Sequence, residues 1–196
     1  MNNQRLSKIA TAIFWTALSI EVNAQSSSID IDNLTATKAA SAICSGNLTS
    51  EAMVSAALNR AKALPELNAF ITLDEIGATT AAKKNDTARK NGKGCKPLDG
   101  VSIVVKDNIE VAGLPNTAGT KALANYVPKK DAPVVAKLRA AGAIVIGKTN
   151  MHELAFGVSG FNANFNSSSA PGVRNAYDSS KISGGSSSGS AAAIDR

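Results

Sequence analysis

One lysine stands at the end of a compact apolar run. The residues from Val101 to Val105 are mostly β-branched, and Lys106 follows them directly. A run of this kind predicts a buried strand. An amine beside a buried strand must be paired, solvated or neutral, because burial penalises its charged form. A lysine that is neutral near pH 7 can act as a general base, whereas one that extends from the strand end into water has no such role.

Hydroxyl groups cluster near the other end of the sequence. The run SGGSSSGS occupies residues 183–190, and three alanines follow it at residues 191–193. Glycines allow sharp backbone turns, and closely spaced hydroxyls can relay protons. A flexible Gly/Ser linker has a similar composition. The run alone leaves a functional turn and a linker open, although a linker does not account for the alanines, which should begin a helix.

A nucleotide-binding pattern can be rejected on physical grounds. Residues 142–149 satisfy the P-loop pattern G-x-x-x-x-G-K-[ST]. In a P-loop the four intervening residues form a turn whose amides face phosphate. Here those residues are Ala-Ile-Val-Ile, which favour a buried strand and cannot wrap a phosphate while their side chains are buried. Nucleotide binding through Gly142–Thr149 is therefore a weak alternative.

The inventory of ligating side chains argues against a zinc site. The chain has one histidine, His152, and two cysteines, Cys44 and Cys95. His152 and Glu153 begin like a zinc-protease helix, but Phe156 stands where the second histidine should be. The two cysteines can form a disulfide or remain as two thiols, and the sequence leaves both alternatives open.

The net charge of +6 does not indicate nucleic acid binding. Basic residues are scattered, and aromatic residues make up only 4% of the chain. Nucleic-acid surfaces combine clustered basic residues with aromatic side chains for base stacking. The positive charge is therefore interpreted as a solvated surface.

The first 24 residues have the pattern of a secretory signal peptide. Arg5 and Lys8 precede the mostly apolar stretch Ile9–Ile20, and a small-residue cleavage site ends at Ala24. The apolar stretch is too short for a stable membrane span. We therefore expect cleavage after Ala24, a secreted or periplasmic protein, and a loose segment over residues 25–34.

From residue 35 to residue 196 the sequence predicts an α/β domain. Apolar residues recur at helical spacing in several segments, and two short β-branched runs flank one of those helices. A strand, a crossover helix and a second strand indicate a parallel pair. The predicted helices begin at Thr35, Thr49, Asp74 and Asp131, the last with Val134, Val135 and Leu138 on its apolar face, and the predicted strands cover residues 68–73, 101–105 and 143–146.

Several of these motifs, in this order, resemble the amidase signature family. The similarity extends over most of the chain, from about Thr35 to Ile194. The motifs that carry it are the lysine strand at residues 97–109, the short TAG and DAPVV sequences at residues 117–119 and 131–135, the landmark at residues 142–157, and the Gly/Ser signature at residues 184–193.

The resemblance implies an amidase-signature α/β fold, with a mixed sheet flanked by helices. It also implies hydrolysis of carboxylic amide C–N bonds by a Ser–Ser–Lys triad, with no metal or organic cofactor and a small-molecule amide as substrate. By matched position, Lys106 would be the base. Ser186 would be the bridging serine, typically on a cis peptide bond. Asp99 departs from the family, which often has histidine there.

The family places its nucleophilic serine further along the chain than this sequence extends. We therefore expect the sequence to be the N-terminal portion of an amidase domain, truncated at the C-terminus and inactive as given. The alternative is a non-catalytic exported fragment or binding module.

Overall fold

The computed structural model describes residue 30, residues 33–165 and residues 172–194. The predicted signal peptide and nearly all of the predicted loose segment 25–34 lie outside these described residues. Within the described part of the chain, no helix is both long enough and apolar enough to cross a membrane.

The described residues contain five α-helices, three strands and short 3-10 turns. Their order along the chain is close to the one expected from the sequence. The helices are α1 (Ala36–Cys44), α2 (Ser50–Ala63), α3 (Glu75–Lys90), α4 (Pro133–Ala140) and α5 (Ser188–Ile194), and the strands are β1 (Phe70–Leu73), β2 (Ser102–Lys106) and β3 (Ile144–Thr149).

The first three helices begin where the sequence predicts, because each is capped by the side chain of the residue before it. Thr35, Thr49 and Asp74 each accept a hydrogen bond from the backbone N–H three residues further on. Such caps satisfy donors that have no partner inside the helix. Helix α2 ends before Pro65, which lacks an N–H and instead begins a 3-10 turn.

The three strands form a mixed sheet in the order β1-β3-β2. Strands β2 and β3 are parallel and are joined through α4, as the sequence predicts, whereas β1 pairs with β3 in the antiparallel direction. The fold is therefore the expected α/β class with a mixed sheet.

Helices cover both faces of this sheet. On one face α2 and α3 pack on β3 through a cluster that includes Leu58, Ala82 and Ile146. On the other face Val105 and Val145 pack against Val135 of α4. Burying these apolar side chains stabilises the layered arrangement, at roughly 25 cal/mol for each Å² removed from water.

An irregularity in β3 changes which face its later residues occupy. Ile103 pairs with Val145, but the next residue of β2, Val104, pairs with Gly147, so one extra residue is accommodated in β3. Because side chains alternate along a strand, an extra residue reverses the faces of everything after it. Lys148 therefore shares a face with Val105.

Cys44 and Cys95 form a disulfide, which decides between the two alternatives that the sequence leaves open. Their Cα atoms lie 5.7 Å apart, within the range that disulfides occupy. The bond connects the end of α1 to the loop that precedes β2, and its two cysteines are 51 positions apart in the sequence. It therefore holds α1 near the start of the strand that carries Lys106.

The predicted start and apolar face of α4 are wrong in detail. Asp131 does not cap the helix, because its carboxylate accepts from the backbone N–H of Ala112 and lies 3.6 Å from Arg139. The N-cap is Ala132, which makes no side-chain hydrogen bond. Only Val135 is buried in this helix, whereas Val134 is about half exposed.

Candidate active site

The two residues that the sequence singles out lie together. The amine of Lys106 donates a hydrogen bond of 2.8 Å to the hydroxyl of Ser186. Lys106 ends β2, and Ser186 lies in the turn just before α5, 80 residues further along the chain. Both side chains are half-buried. The two groups are therefore in direct contact, and the distance is short enough for direct proton transfer.

The turn that carries Ser186 depends on two glycines and on contacts with one neighbouring loop. Gly184 and Gly185 have φ values of 80° and 64°, a conformation that side chains disfavour. The N–H of Gly185 donates to the carbonyl of Val158, and the N–H of His152 donates to the carbonyl of Ser186. The loop after β3 thus fixes the turn from two sides.

The cis peptide bond that the family resemblance implies at Ser186 is absent. Among the described residues no peptide bond is cis. Here the positive φ angles of Gly184 and Gly185 make the sharp turn, so the hydroxyl of Ser186 reaches Lys106 on a trans backbone.

A second pair of hydroxyls lies beside the first contact. Thr149 is the β3 partner of Lys106, and its hydroxyl is 2.7 Å from that of Ser190. Ser190 follows Ser186 by four residues. Close packing here requires Gly189, because a Cβ on it would clash with the backbone of Asn150. The Thr149–Ser190 pair was not predicted from the sequence, because the two residues are 41 positions apart and no local pattern connects them.

Burial lowers the pKa of the Lys106 amine. Among the described residues no carboxylate forms an ion pair with this amine, and its hydrogen-bond partner is a neutral hydroxyl. The charged form therefore receives no Coulombic compensation for the water that it loses. This environment favours a neutral amine at lower pH than for an ordinary lysine, as a general base requires.

The residues of the P-loop pattern form a buried strand and not a phosphate-binding turn. Residues 144–149 are strand β3, and every one of them is buried. The lysine of the pattern, Lys148, is fully buried and lies 3.2 Å from the carboxylate of Asp107. It is therefore not free to reach a phosphate. The Lys148–Asp107 pair was not predicted from the sequence, although a lysine inside an apolar run was a signal that it needs a partner.

A cavity of about 710 Å³ lies away from this chemistry. Side chains of α2, β2 and α5 line part of it. Neither Lys106 nor Ser186 lines it. One group of potential metal ligands is found among the described residues, at Cys44, Cys95 and Asp99, but both sulfur atoms are in the disulfide.

Comparison with known proteins identifies the family. The family model for amidases matches residues 52–195. Mandelamide hydrolase from Pseudomonas putida is 49% identical over 161 residues. A glutamyl-tRNA(Gln) amidotransferase subunit from Acidothermus cellulolyticus is 40% identical over 166 residues. The peptide amidase of Stenotrophomonas maltophilia superimposes with a TM-score of 0.75 at 36% identity, covering 82% of this chain and 34% of that one.

The chain belongs to the amidase family, whose members include hydrolases of C–N bonds. The matches cover 82% of this chain for mandelamide hydrolase and 84% for the amidotransferase subunit, and 32% of each relative. The chain therefore spans about a third of the length of these relatives.

Proposed function

We propose that this chain supplies the base and the bridging serine of a Ser–Ser–Lys relay that hydrolyses a small carboxylic amide. The observation that carries the proposal is the 2.8 Å hydrogen bond between Lys106 and Ser186. Membership of the amidase family supports the reaction class. The lowered pKa of Lys106 supports its role as the base.

The contact can move a proton in two steps. When Lys106 is charged, its amine donates to the Ser186 hydroxyl, as observed. When Lys106 is neutral, the nitrogen lone pair can accept the proton of that hydroxyl, and Ser186 can then take a proton from a nucleophile. Ser186 would thus pass a proton from the nucleophile to Lys106, and the nucleophile would attack the amide carbon.

We further propose that the 196-residue chain alone does not complete this relay. A nucleophile would have to hydrogen-bond to Ser186. Among the described residues, Lys106 is the one side chain that does so. The hydroxyls of Thr149 and Ser190 contact each other instead. The nucleophile and the donors that stabilise the oxyanion would then come from sequence that corresponds to the rest of the longer relatives.

A chimera tests the proposed relay. Residues 1–194 would be joined to the remaining part of mandelamide hydrolase, and ammonia release from mandelamide would be followed. Lys106→Ala and Ser186→Ala should each lower kcat/KM by about 10²–10⁴-fold, the usual contribution of a positioned acid or base. Lys62→Ala is the matched control, since Lys62 forms an exposed ion pair with Glu75.

Three results would contradict the proposal in whole or in part. Full turnover of the chimera with Lys106→Ala would show that Lys106 is not the base. Robust ammonia release by the 196-residue chain alone, abolished by Ser186→Ala, would show that this chain contains its own nucleophile. A folded chimera without any hydrolysis would favour the non-catalytic alternative.

We also propose that the chain is exported and that its signal peptide is cleaved after Ala24. The Cys44–Cys95 disulfide supports this proposal, because such bonds persist mainly in oxidising compartments. N-terminal sequencing of protein recovered outside the cytoplasm should begin at Gln25. Soluble protein that retains Met1 would contradict cleavage.

A further inference from the structure

A second lysine is buried directly behind the candidate site. Lys148 of β3 is fully buried. Its amine lies 3.2 Å from the Asp107 carboxylate and donates to the Asn116 side chain at 3.0 Å and to the Pro115 carbonyl at 3.1 Å. The ammonium therefore has two hydrogen-bond acceptors and one carboxylate oxygen at ion-pair distance. That carboxylate oxygen accepts no hydrogen bond, so the Lys148–Asp107 contact is an ion pair between two buried charges.

Asp107, the partner of Lys148, is held on several sides. One carboxylate oxygen faces Lys148, and the other accepts from both the backbone N–H and the hydroxyl of Thr117. Its backbone N–H donates to the Thr149 carbonyl, and its own carbonyl accepts from Ala118. Asp107 is fully buried and directly follows Lys106. The chain therefore has little freedom immediately after the candidate base.

The irregularity in β3 brings this arrangement about. Because one extra residue is accommodated before Gly147, Lys148 occupies the face of Val105, and Thr149 occupies the face of Lys106. The two faces of the sheet thus carry different polar contacts. One has the contacts of Lys106 and Thr149 with α5 and the turn before it, and the other has the ion pair.

We propose that Lys148 is a positioning residue for Lys106. By holding Asp107 from the opposite face of the sheet, Lys148 fixes the end of β2 so that the Lys106 amine meets the Ser186 hydroxyl. The importance of this contact for hydrolysis rests on the proposed function, whereas the positioning itself can be measured without hydrolysis.

The charges around Lys148 are consistent with a structural ion pair. Burial lowers the pKa of Lys148, and the negative charges of Asp107 and Glu110 oppose that shift. Removing Lys148 alone would leave Asp107 as an uncompensated buried charge, which would itself attract a proton to Lys106. A test of positioning should therefore remove both charges together.

The experiment measures the protonation of Lys106 in the 196-residue protein. Acetic anhydride is applied at a series of pH values, and modification of Lys106 is followed by peptide mass spectrometry, which gives the pH midpoint of its reactivity. The test variant is Lys148→Met/Asp107→Asn, in which the amide oxygen can still accept from Thr117. The control is Asp86→Asn, which removes a buried carboxylate that bonds to α2 instead.

The double variant should raise the pH midpoint of Lys106 reactivity by about one unit, because the released amine regains water. Below the midpoint, this shift corresponds to an about tenfold lower reactivity of Lys106. Asp86→Asn should leave the midpoint unchanged. Thr117→Val, which removes one hydrogen bond to Asp107, should raise the midpoint by a smaller amount. This variant serves as the test of positioning if the double variant does not fold.

An unchanged midpoint in the folded double variant, or in Thr117→Val when the double variant does not fold, would overturn the proposal. An equal rise with Asp86→Asn would also overturn it, by showing a general loosening of the fold. Neither outcome depends on hydrolysis. A failure of the amidase proposal would appear instead as unimpaired turnover when Lys106 is replaced in the chimera.

Discussion

Lys148 and Lys106 lie on neighbouring parallel strands, but they differ in how deeply they are buried and in which group compensates their charge. Lys148 is fully buried and faces the Asp107 carboxylate, whereas Lys106 is half-buried and faces the Ser186 hydroxyl. Burial lowers the pKa of both amines. Only for Lys148 do negative charges oppose that shift. The two lysines therefore differ in their partners as well as in burial: a carboxylate faces Lys148, and a neutral hydroxyl faces Lys106.

The buried carboxylate of Asp86 contrasts with Lys106, because its charge is fully compensated by hydrogen bonds. Burial alone would raise the pKa of Asp86, but hydrogen bonds from the backbone N–H groups of Glu51 and Ser50 and from Arg89 outweigh it, so the pKa falls. The charged form of Asp86 is thus stabilised more in the fold than in water. From Asp86 through Lys148 to Lys106, compensation of the buried charge decreases.

The largest effect that follows from the comparison concerns stability. Lys148→Met should lower the free energy of unfolding by about 3–5 kcal/mol, because it leaves Asp107 buried without its counter-charge. Lys106→Met should cost about 1 kcal/mol or less, since it removes one hydrogen bond to a hydroxyl. Urea unfolding of the two variants measures the difference.

The exposed pair Lys62–Glu75 offers a baseline for these measurements, and Lys62→Met should change stability by well under about 1 kcal/mol. Equal losses for Lys148→Met and Lys106→Met would erase the distinction between the two lysines.

A smaller effect concerns Asp86 and acid. Because its pKa is lowered in the fold, Asp86 contributes stability that is fully present above about pH 3.8 and is lost as the pH falls through its folded value. Asp86→Asn should therefore lower stability at pH 7 by about 1.5–3 kcal/mol, typical for hydrogen bonds to a charged group. The difference from the unmodified protein should shrink below pH 3.8.

Denaturant unfolding at pH 7 and at several values below pH 3.8 provides this comparison. A destabilisation by Asp86→Asn that stays constant across the whole range would mean that the carboxylate does not titrate as described.

The sequence predicted most elements because their signals are local. Thr35, Thr49 and Asp74 cap helices with their own side chains, and such caps depend only on residues within one turn. Asp131 looked like the same signal. Its carboxylate instead accepts from Ala112, which is 19 residues away, and a local pattern cannot reveal a distant competitor.

The site was predictable from motifs but not from periodicity. The family motifs pointed to Lys106 and Ser186 as members of one site. The two residues are 80 positions apart, and no local pattern between them signals their contact. The ion pair of Lys148 was missed because it depends on the irregularity in β3. Strict alternation from Ile146 would place Lys148 on the α2–α3 face, and one accommodated residue reverses that. Likewise, the sequence could not show that Cys44 and Cys95 meet.

The protonation of Lys106 tests the central claim most directly, because a lysine without a compensating charge should be neutral at lower pH than usual. Lysine-labelled protein of 196 residues would be titrated by NMR, with the Lys106 resonance assigned by its loss in Lys106→Met. We expect a midpoint below the ordinary value of 10.5. A midpoint at or above 10.5 would contradict the claim, because Lys106 would then remain charged where a base is needed.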